Sequence, residues 1–355
     1  MLGLSSINHL VRQGLHLRQV ATPEAKAPGE APSKLKQILH PLVVKNNPLA
    51  PAAPAAPHEL KIMSFNVRLG GEKFQAVKKT VADGKADIVG LQECSRETAE
   101  KIAKDLGYHL TFYSSMRHNN SPENGKAILS RFPIKQAESK PFKIGIGTRL
   151  KSMWDRFKRS EGNLLERIAG TASLWQKRTI LTSTFEINGK TIDFVDTHLT
   201  TGAPAQTAAQ YEQHQAYVED RKKRGHEVIL TADFNTHFQR TSKSHPNDPS
   251  LKAWEKLQTS LTDAYDQAET ITIKGLDGRE LSPAEARKKL QAPGLSAEER
   301  DTLKRIAIGA TLASGKGRID TVMSTGGFEA TKVSIDQQNA ASDHEPVFAT
   351  LAFKP

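Results

Sequence analysis

The sequence predicts an α/β fold of four layers: two mixed β-sheets packed face to face, with helices on the outside. Two observations lead there. Strands joined by tight turns alternate with strand–helix–strand crossovers, so antiparallel and parallel pairings must share the sheets. A chain of 355 residues is also long enough to bury a substantial core, as one large or two modest domains.

In order, Leu60–Val67 reads as a strand, Glu72–Ala82 as a helix and Asp87–Gln92 as a second apolar strand. Glu97–Leu106 reads as a helix that stops at Gly107. Tyr108–Tyr113 and Ala127–Ser130 return as strands. Arg178–Ile187 and Thr191–Thr200 are strands joined by Asn188-Gly189, the strongest short hairpin signal. Ala205–Arg224 is a long helix closed by Gly225. It leads into Val228-Ile229-Leu230-Thr231-Ala232-Asp233-Phe234-Asn235, the buried strand around which the chain is organised. A helix at Leu251–Thr259 follows, then strands at Arg318–Met323, Phe328–Ile335 and Pro346–Phe353.

The N-terminal region stands apart. Residues 1–20 set Leu4, Ile7, Leu10 and Val11 at helical spacing, with Arg12 and Arg18 among polar positions, as in an amphipathic or targeting segment. Residues 21–58 are rich in Pro, Ala and Lys and end in a Pro/Ala run over 48–57. They read as a largely disordered linker with one short helix around Leu35–Leu42. The main domain is therefore expected over 59–355.

Two segments interrupt that domain. Over 143–177 the chain is basic and amphipathic: Leu150, Met153, Trp154 and Phe157 fall at i, i+3, i+4 and i+7, among Lys151, Arg156, Lys158 and Arg159. This reads as a helix packing its stripe on the sandwich, or as a surface over 149–159 that meets membrane or nucleic-acid phosphate. Residues 267–316 are helical and charged, with capped starts at Ser282-Pro283-Ala284-Glu285 and Ser296-Ala297-Glu298-Glu299. No metal-ligand pattern or nucleophile stands out there, so a cover or lid is expected.

Composition narrows the partners. Fifty Lys and Arg against 39 Asp and Glu leave a net charge of +11, which favours anionic ligands. The single cysteine, Cys94, excludes an intramolecular disulfide and reads as a small packed residue. No apolar run approaches the roughly 20 residues that span a bilayer. The N-terminus lacks a continuous apolar core before a small-residue cleavage site, so a soluble chain, cytoplasmic or non-classically secreted, is expected. Nothing points to an obligate protein partner.

The strand ends carry the chemistry. They run out at Phe65-Asn66, Gln92-Glu93, Asp196-Thr197-His198, Asp233-Phe234-Asn235, Arg318-Ile319-Asp320 and Ser342-Asp343-His344. Asp233 and Asn235 are two apart, so on extended backbone their side chains leave the same face. If these edges converge they form an oxygen-rich pocket beside two imidazoles. Glu93 and Asp343 are hard oxygen donors suited to Mg²⁺ or Mn²⁺. One cysteine and no paired histidines at ligand spacing argue against zinc. The chemistry that fits is phosphoester hydrolysis, with a cation polarising the phosphoryl oxygen and a carboxylate–imidazole pair moving protons. Asp320 is the natural partner to orient His344, which is read as the base.

These motifs together resemble the endonuclease/exonuclease/phosphatase superfamily. They stand here as Ser64-Phe65-Asn66, Leu91-Gln92-Glu93, Ala127-Ile128-Leu129-Ser130-Arg131-Phe132-Pro133, Thr197-His198-Leu199, Ala232-Asp233-Phe234-Asn235, Arg318-Ile319-Asp320 and Ser342-Asp343-His344. The resemblance runs from about Leu60 to Phe353 and implies a deoxyribonuclease-I-like fold. It implies Glu93 as the principal metal ligand, Asn66 organising that site and Asp343 beside the ion. Asp233 would position the attacking water and Asn235 the phosphate. Asp320 would orient His344, and His198 would contact the phosphate or assist the leaving group. Arg68 stands where apurinic endonucleases carry a second acid, which disfavours that branch, and Ala232 replaces the usual Gly.

The expected activity is Mg²⁺-dependent phosphodiester hydrolysis. Nucleic acid is placed slightly ahead as substrate on the basic balance. A phospholipid or inositol phosphate comes next, on the aromatic and basic 149–159 segment. A non-catalytic binding module is the remaining reading. Structural roles also compete at single positions: Asp320 pairing with Arg318, Asn66 bonding across loops, His198 as a satisfied core histidine.

Overall fold

The alternation of hairpin and crossover resolves into two sheets. A computed structural model describes residues 42–48, 50, 57–69, 71, 73–116, 124–161 and 163–355. Strands β1 (Leu42–Lys45) and β2 (Glu59–Leu69) lead to helix α1 (Phe74–Gly84), β3 (Ile88–Cys94), α2 (Arg96–Leu106), β4 (His109–Met116) and β5 (Asn124–Ser130). Then come β6 (Gln136–Pro141), α3 (Ile146–Arg159), α4 (Leu164–Ala169), a 3₁₀ turn (Ala172–Trp175), β7 (Thr179–Ile187) and β8 (Lys190–His198). The long helix α5 (Pro204–Lys223) precedes β9 (Glu227–Asp233), α6 (Pro249–Leu257), β10 (Thr262–Asp263), α7 (Ala264–Gln267), β11 (Thr270–Lys274) and β12 (Glu280–Leu281). Helices α8 (Pro283–Lys289) and α9 (Ala297–Ala307) and strands β13 (Asp320–Ser324), β14 (Phe328–Asp336) and β15 (Val347–Phe353) complete the chain.

One sheet has nine strands in the order β1-β4-β5-β3-β2-β15-β14-β11-β12, the other six in the order β10-β13-β9-β8-β7-β6. Side-chain alternation builds the layers. Ile62, Ile88 and Ile229 belong to the cluster between the sheets. Their neighbours Met63 and Val89 pack outward with Val77, Val81 and Ile102 of α1 and α2. Leu230 packs outward with Tyr211, Val218 and Leu257 of α5 and α6. Strands buried on both faces read as unbroken apolar runs, which is why these segments were legible as strands.

Register brings the polar strand ends to one edge. Parallel pairing of β2 with β3 sets Asn66 opposite Gln92, and that of β8 with β9 sets His198 opposite Asp233. Antiparallel β13 sets Asp320 opposite Asp233. Strand β15 starts with Val347 opposite Ser64, so the 342–346 loop arrives beside Asn66.

Two expectations need correction, and one further strand was not expected. Leu42–Lys45 pairs antiparallel with β4, so the stretch read as linker over 21–58 contributes an edge strand, and Leu42 is not helical. Residues 1–41, with the expected amphipathic segment and most of the Leu35–Leu42 helix, lie outside the described residues. Second, 267–316 is not a lid. β11 adds to β14 in parallel, and Ile273, Ala286, Leu303 and Ile306 enter the inter-sheet core. Both expected capping boxes there are present. The further strand, at Gln136–Pro141, carries no apolar alternation and escaped a reading based on hydrophobic period; β7 alone pairs with it, at the sheet edge.

His214 of α5 is fully buried against Phe142 and Phe234. Burial pushes its imidazole down to about 4, against a partial gain from the Gln210 carbonyl. A histidine held neutral contributes stability above its ordinary value of 6.5 and loses it as pH falls towards 4. The loss amounts to at most about 3 kcal/mol. Denaturant melts between pH 7 and 5 should show a declining midpoint, with a shallower decline in His214→Gln. An equal decline in the variant would remove this side chain as a cause.

Candidate active site

Asp233 ends β9 with 1 % of its surface exposed, and groups from both sheets face it. Asn66 Nδ2 donates to Oδ2 at 2.9 Å, and the N–H of Asn235 donates to Oδ1 at 2.9 Å. His198 Nε2 lies 3.3 Å and His344 Nε2 3.8 Å from Oδ2. Burial and the Asp320 carboxylate push this carboxyl well above the usual range; His344 and Asn66 work the other way.

The two imidazoles are driven apart in charge. For His344, burial disfavours the cation, but Asp320 outweighs it through contacts of 3.0 and 3.1 Å to Nδ1. Aided by Asp233 and Asp343, it raises the ring to about 10. For His198, burial acts first and Arg178, Lys126 and His344 add to it, so the ring is held well below its ordinary value and is neutral at pH 7. Its Nδ1 faces Glu93 Oε1 at 3.8 Å. Opposed shifts in adjacent groups are what acid–base chemistry requires.

The backbone departs from ordinary geometry here. Arg68, Glu93 and Asn235 all have positive φ, at 46°, 49° and 52°, a conformation that costs energy for residues with a Cβ. Arg68 and Glu93 sit at register irregularities near the ends of β2 and β3, and Asn235 lies two residues beyond β9. Asn66 Oδ1 accepts from the N–H of Arg68 at 3.1 Å, and Asp233 binds the N–H of Asn235 in the same two-residue turn. Asn235 is therefore not on extended backbone, and it does not leave the strand face with Asp233 as expected. Its Nδ2 instead donates to the Leu199 carbonyl at 3.1 Å, fixing the loop after His198.

The structure thus gathers Asn66, His198, Asp233, Asn235, Asp320 and His344, with Glu93 one imidazole away from Asp233. Asp343 lies at the rim, paired with Arg68 at 3.0 Å. Among the described residues, the acidic and imidazole atoms that converge most closely are those of Asp233, Asp320 and His344. The expected donors Asn66, Glu93 and Asp343 form a different set beside this cluster, with Asn66 bonded to Asp233 and Glu93 facing His198. The chemistry still fits a hard cation. Carboxylates crowd closely enough to raise Asp233, and Glu93 keeps a partly exposed carboxylate at the mouth.

Sequence reasoning missed several supporting groups. Arg178 is half-buried; burial lowers its pKa while Glu93 and Asp233 favour the cation. It lines a small pocket with His198, Lys126 and Gln176. Lys126 is buried and donates to Thr179 Oγ1 at 2.6 Å. Asp196, already among the strand ends singled out in the sequence, is buried and accepts from Gln92 at 2.6 Å and Thr231 at 2.8 Å. A lysine opening an apolar strand was the one available signal. Thr311 Oγ1 accepts from the N–H groups of Ile319 and Asp320, while Ala313 N–H donates to the Asp343 carbonyl. The tail of the 267–316 segment therefore supports both partners of the Asp320–His344 pair.

The architecture is that of a deoxyribonuclease-I-like sandwich, with a cluster of carboxylates and imidazoles where the strand ends of both sheets meet. The sequence model of the Endonuclease/Exonuclease/phosphatase family matches residues 63–344, and the chain belongs to that family, whose members are hydrolases of phosphoester bonds. Solved structures agree on the fold. A family protein from Bacteroides thetaiotaomicron matches at TM-score 0.54 and 17 % identity, over 84 % of this chain and 99 % of that one. The mannosyl-6-phosphatase Bt3783 of the same organism matches at TM-score 0.54 and 16 % identity, over 83 % and 100 %. The human Nocturnin catalytic domain, with bound sulfate, matches at TM-score 0.51 and 16 % identity, over 83 % and 95 %. A comparison with curated proteins finds no match.

Asp320→Asn keeps the backbone bond to Thr311 but removes the charge facing His344. The His344 ring should then titrate lower by about one to three pH units, read by NMR of the imidazole C–H. An unchanged titration would mean Asp320 does not set its charge.

Proposed function

We propose that the chain is a divalent-cation-dependent phosphodiesterase that directs water at phosphorus. The observation that carries this reading is one buried carboxylate, Asp233, between a neutral and a cationic imidazole. In its unprotonated form Asp233 orients the attacking water and accepts its proton. His344, held cationic by Asp320, donates from Nε2 and stabilises negative charge on the phosphoryl group. It is therefore a proton donor, not the base expected from sequence. The water proton goes to Asp233 and the leaving oxygen takes the Nε2 proton of His344 as the P–O bond breaks, while His198, neutral, hydrogen-bonds the phosphoryl group. Asn235 and Arg178 hold the phosphate at the mouth. Mg²⁺ or Mn²⁺ held by Glu93, Asn66 and Asp343 would supply positive charge against a phosphoryl oxygen.

The substrate reading favoured here is the phosphoester of a lipid headgroup, supported by exposed apolar surface beside the site, over 146–175. Nucleic acid is the second reading, supported by the net charge of +11. Among the described residues no helix is long and apolar enough to cross a membrane.

Purified protein should hydrolyse a water-soluble phosphodiester with Mg²⁺ or Mn²⁺ and lose activity in chelator. Glu93→Gln should lower kcat by roughly 10²–10⁴-fold at an unchanged melting midpoint; His344→Ala should lower kcat as much and also lower the midpoint, because it leaves Asp320 buried without its cation. A panel of phospholipids, phosphoinositides, DNA and RNA then identifies the substrate. If none is cleaved with either metal, the fold serves as a binding module.

A further inference from the structure

The apolar side chains that the fold leaves in solvent are not scattered. Eight large hydrophobic residues among the described ones are exposed, and six of them fall in a single segment: Ile146, Leu150, Trp154, Leu164, Ile168 and Trp175. Ile146, Leu150 and Trp154 are spaced by four and form one stripe of α3, at 63 %, 54 % and 60 % exposure. Ser152 and Arg156 lie on the opposite face of the helix. Ser152 is buried, and Arg156 bonds the carbonyls of Gly170 and Thr201. The stripe is therefore what α3 shows outward once its inner face is docked; of the four residues expected to pack on the sandwich, Leu150 and Trp154 do not, while Met153 and Phe157 are half-buried.

The segment is held as a unit. Arg149 bonds the Leu174 carbonyl at 2.9 Å and lies over the Trp175 ring, and Trp175 Nε1 donates to Met153 Sδ at 3.2 Å. Arg167 bonds the Phe157 carbonyl and covers its ring. Over 143–177 there are eight Lys and Arg against three acids, and Lys143, Lys151, Lys158 and Arg159 are exposed. Apolar side chains and interfacial tryptophans ringed by cations match a bilayer of anionic lipid, with aliphatics among acyl chains and ammonium groups at the headgroups. Exposed Ile and Leu have no matching partner on a phosphodiester backbone.

The segment is also attached to the catalytic mouth. Arg156 and Arg159 bond the carbonyls of Thr201 and Gly202, just beyond His198. Gly202 has φ 62°, and a Cβ there would meet the Arg156 guanidinium at 2.7 Å. Gln176 lines the pocket that holds His198.

We propose that the 143–177 insertion is a bilayer-docking surface, which seats the protein on anionic membrane and presents lipid headgroup phosphoesters to the site. The docking stands on surface chemistry alone; the presentation rests on the hydrolase reading above. The test is co-sedimentation of the full chain with vesicles of phosphatidylcholine containing phosphatidylserine, against phosphatidylcholine alone. The protein should bind the anionic vesicles, more weakly as salt rises, with a blue shift in tryptophan emission from Trp154 and Trp175. Leu150→Asn with Trp154→Asn should weaken binding at least about tenfold, with the melting midpoint as folding control.

Absence of binding by the wild-type chain overturns the proposal. So does binding that survives the double substitution, which would locate the contact elsewhere. A concentration-dependent dimer in sedimentation velocity, lost in the double variant and without vesicle binding, assigns the stripe to a second copy instead. Retention of duplex DNA without vesicle binding returns the surface to nucleic acid. Vesicle binding with no hydrolysis of a soluble phosphodiester sinks the catalytic reading and leaves the docking intact.

Discussion

The structure depends on keeping one carboxylate, Asp233, out of water at the junction of two sheets. A lone buried charge of this kind is strongly disfavoured unless hydrogen bonds and opposite charge meet it. Here Asn66 arrives from one sheet, and His198 and the backbone of Asn235 arrive from the other. Cation chemistry comes from His344, itself held charged by Asp320. Each group is useful only if both sheets keep their register. A slip of one residue in β9 would turn Asp233 to the opposite face.

A second polar layer lies beneath the first. Asp196, with Gln92 and Thr231, sits between the sheets where β3 passes β9, and Gly90 permits that approach: a Cβ there would lie 2.0 Å from Thr231 Oγ1. Lys126 is buried nearby, its ammonium pushed down to about 7 by burial while Asp196 favours the charge. Together these groups hold the ends of β3, β5, β8 and β9 in one arrangement. The positive φ angles of Arg68, Glu93 and Asn235 are confined to the same edge. Such strain persists only where surrounding contacts over-determine the backbone.

The two inserted segments have opposite fates for one reason, the direction in which each finds apolar contact. The 267–316 segment carries its apolar residues into the inter-sheet core, extends the larger sheet and ends in Thr311–Ala313, which braces the Asp320 and His344 loops. The 143–177 segment spends its polar face on the Thr201–Gly202 loop and leaves its apolar stripe in water. Large contiguous apolar surface on a soluble fold generally marks an interaction site.

Periodicity and strand-end chemistry were enough, in the sequence, to determine the layer class, the Asn188-Gly189 hairpin, the order of the main strands and the residues that meet at the edge. Those signals are local: burial on both faces writes apolar runs, and site residues sit at their ends. Other features are decided by partners far away in the chain, and only the tertiary structure supplies them. Leu42–Lys45 becomes a strand because β4 has a free edge. His344 becomes a cation because Asp320 is brought within hydrogen-bonding distance, and Arg178 joins the site because β7 begins beside His198. Trp154 faces solvent because Arg156 binds elsewhere. Charge state and exposure depend on distances between residues that the linear order leaves undefined.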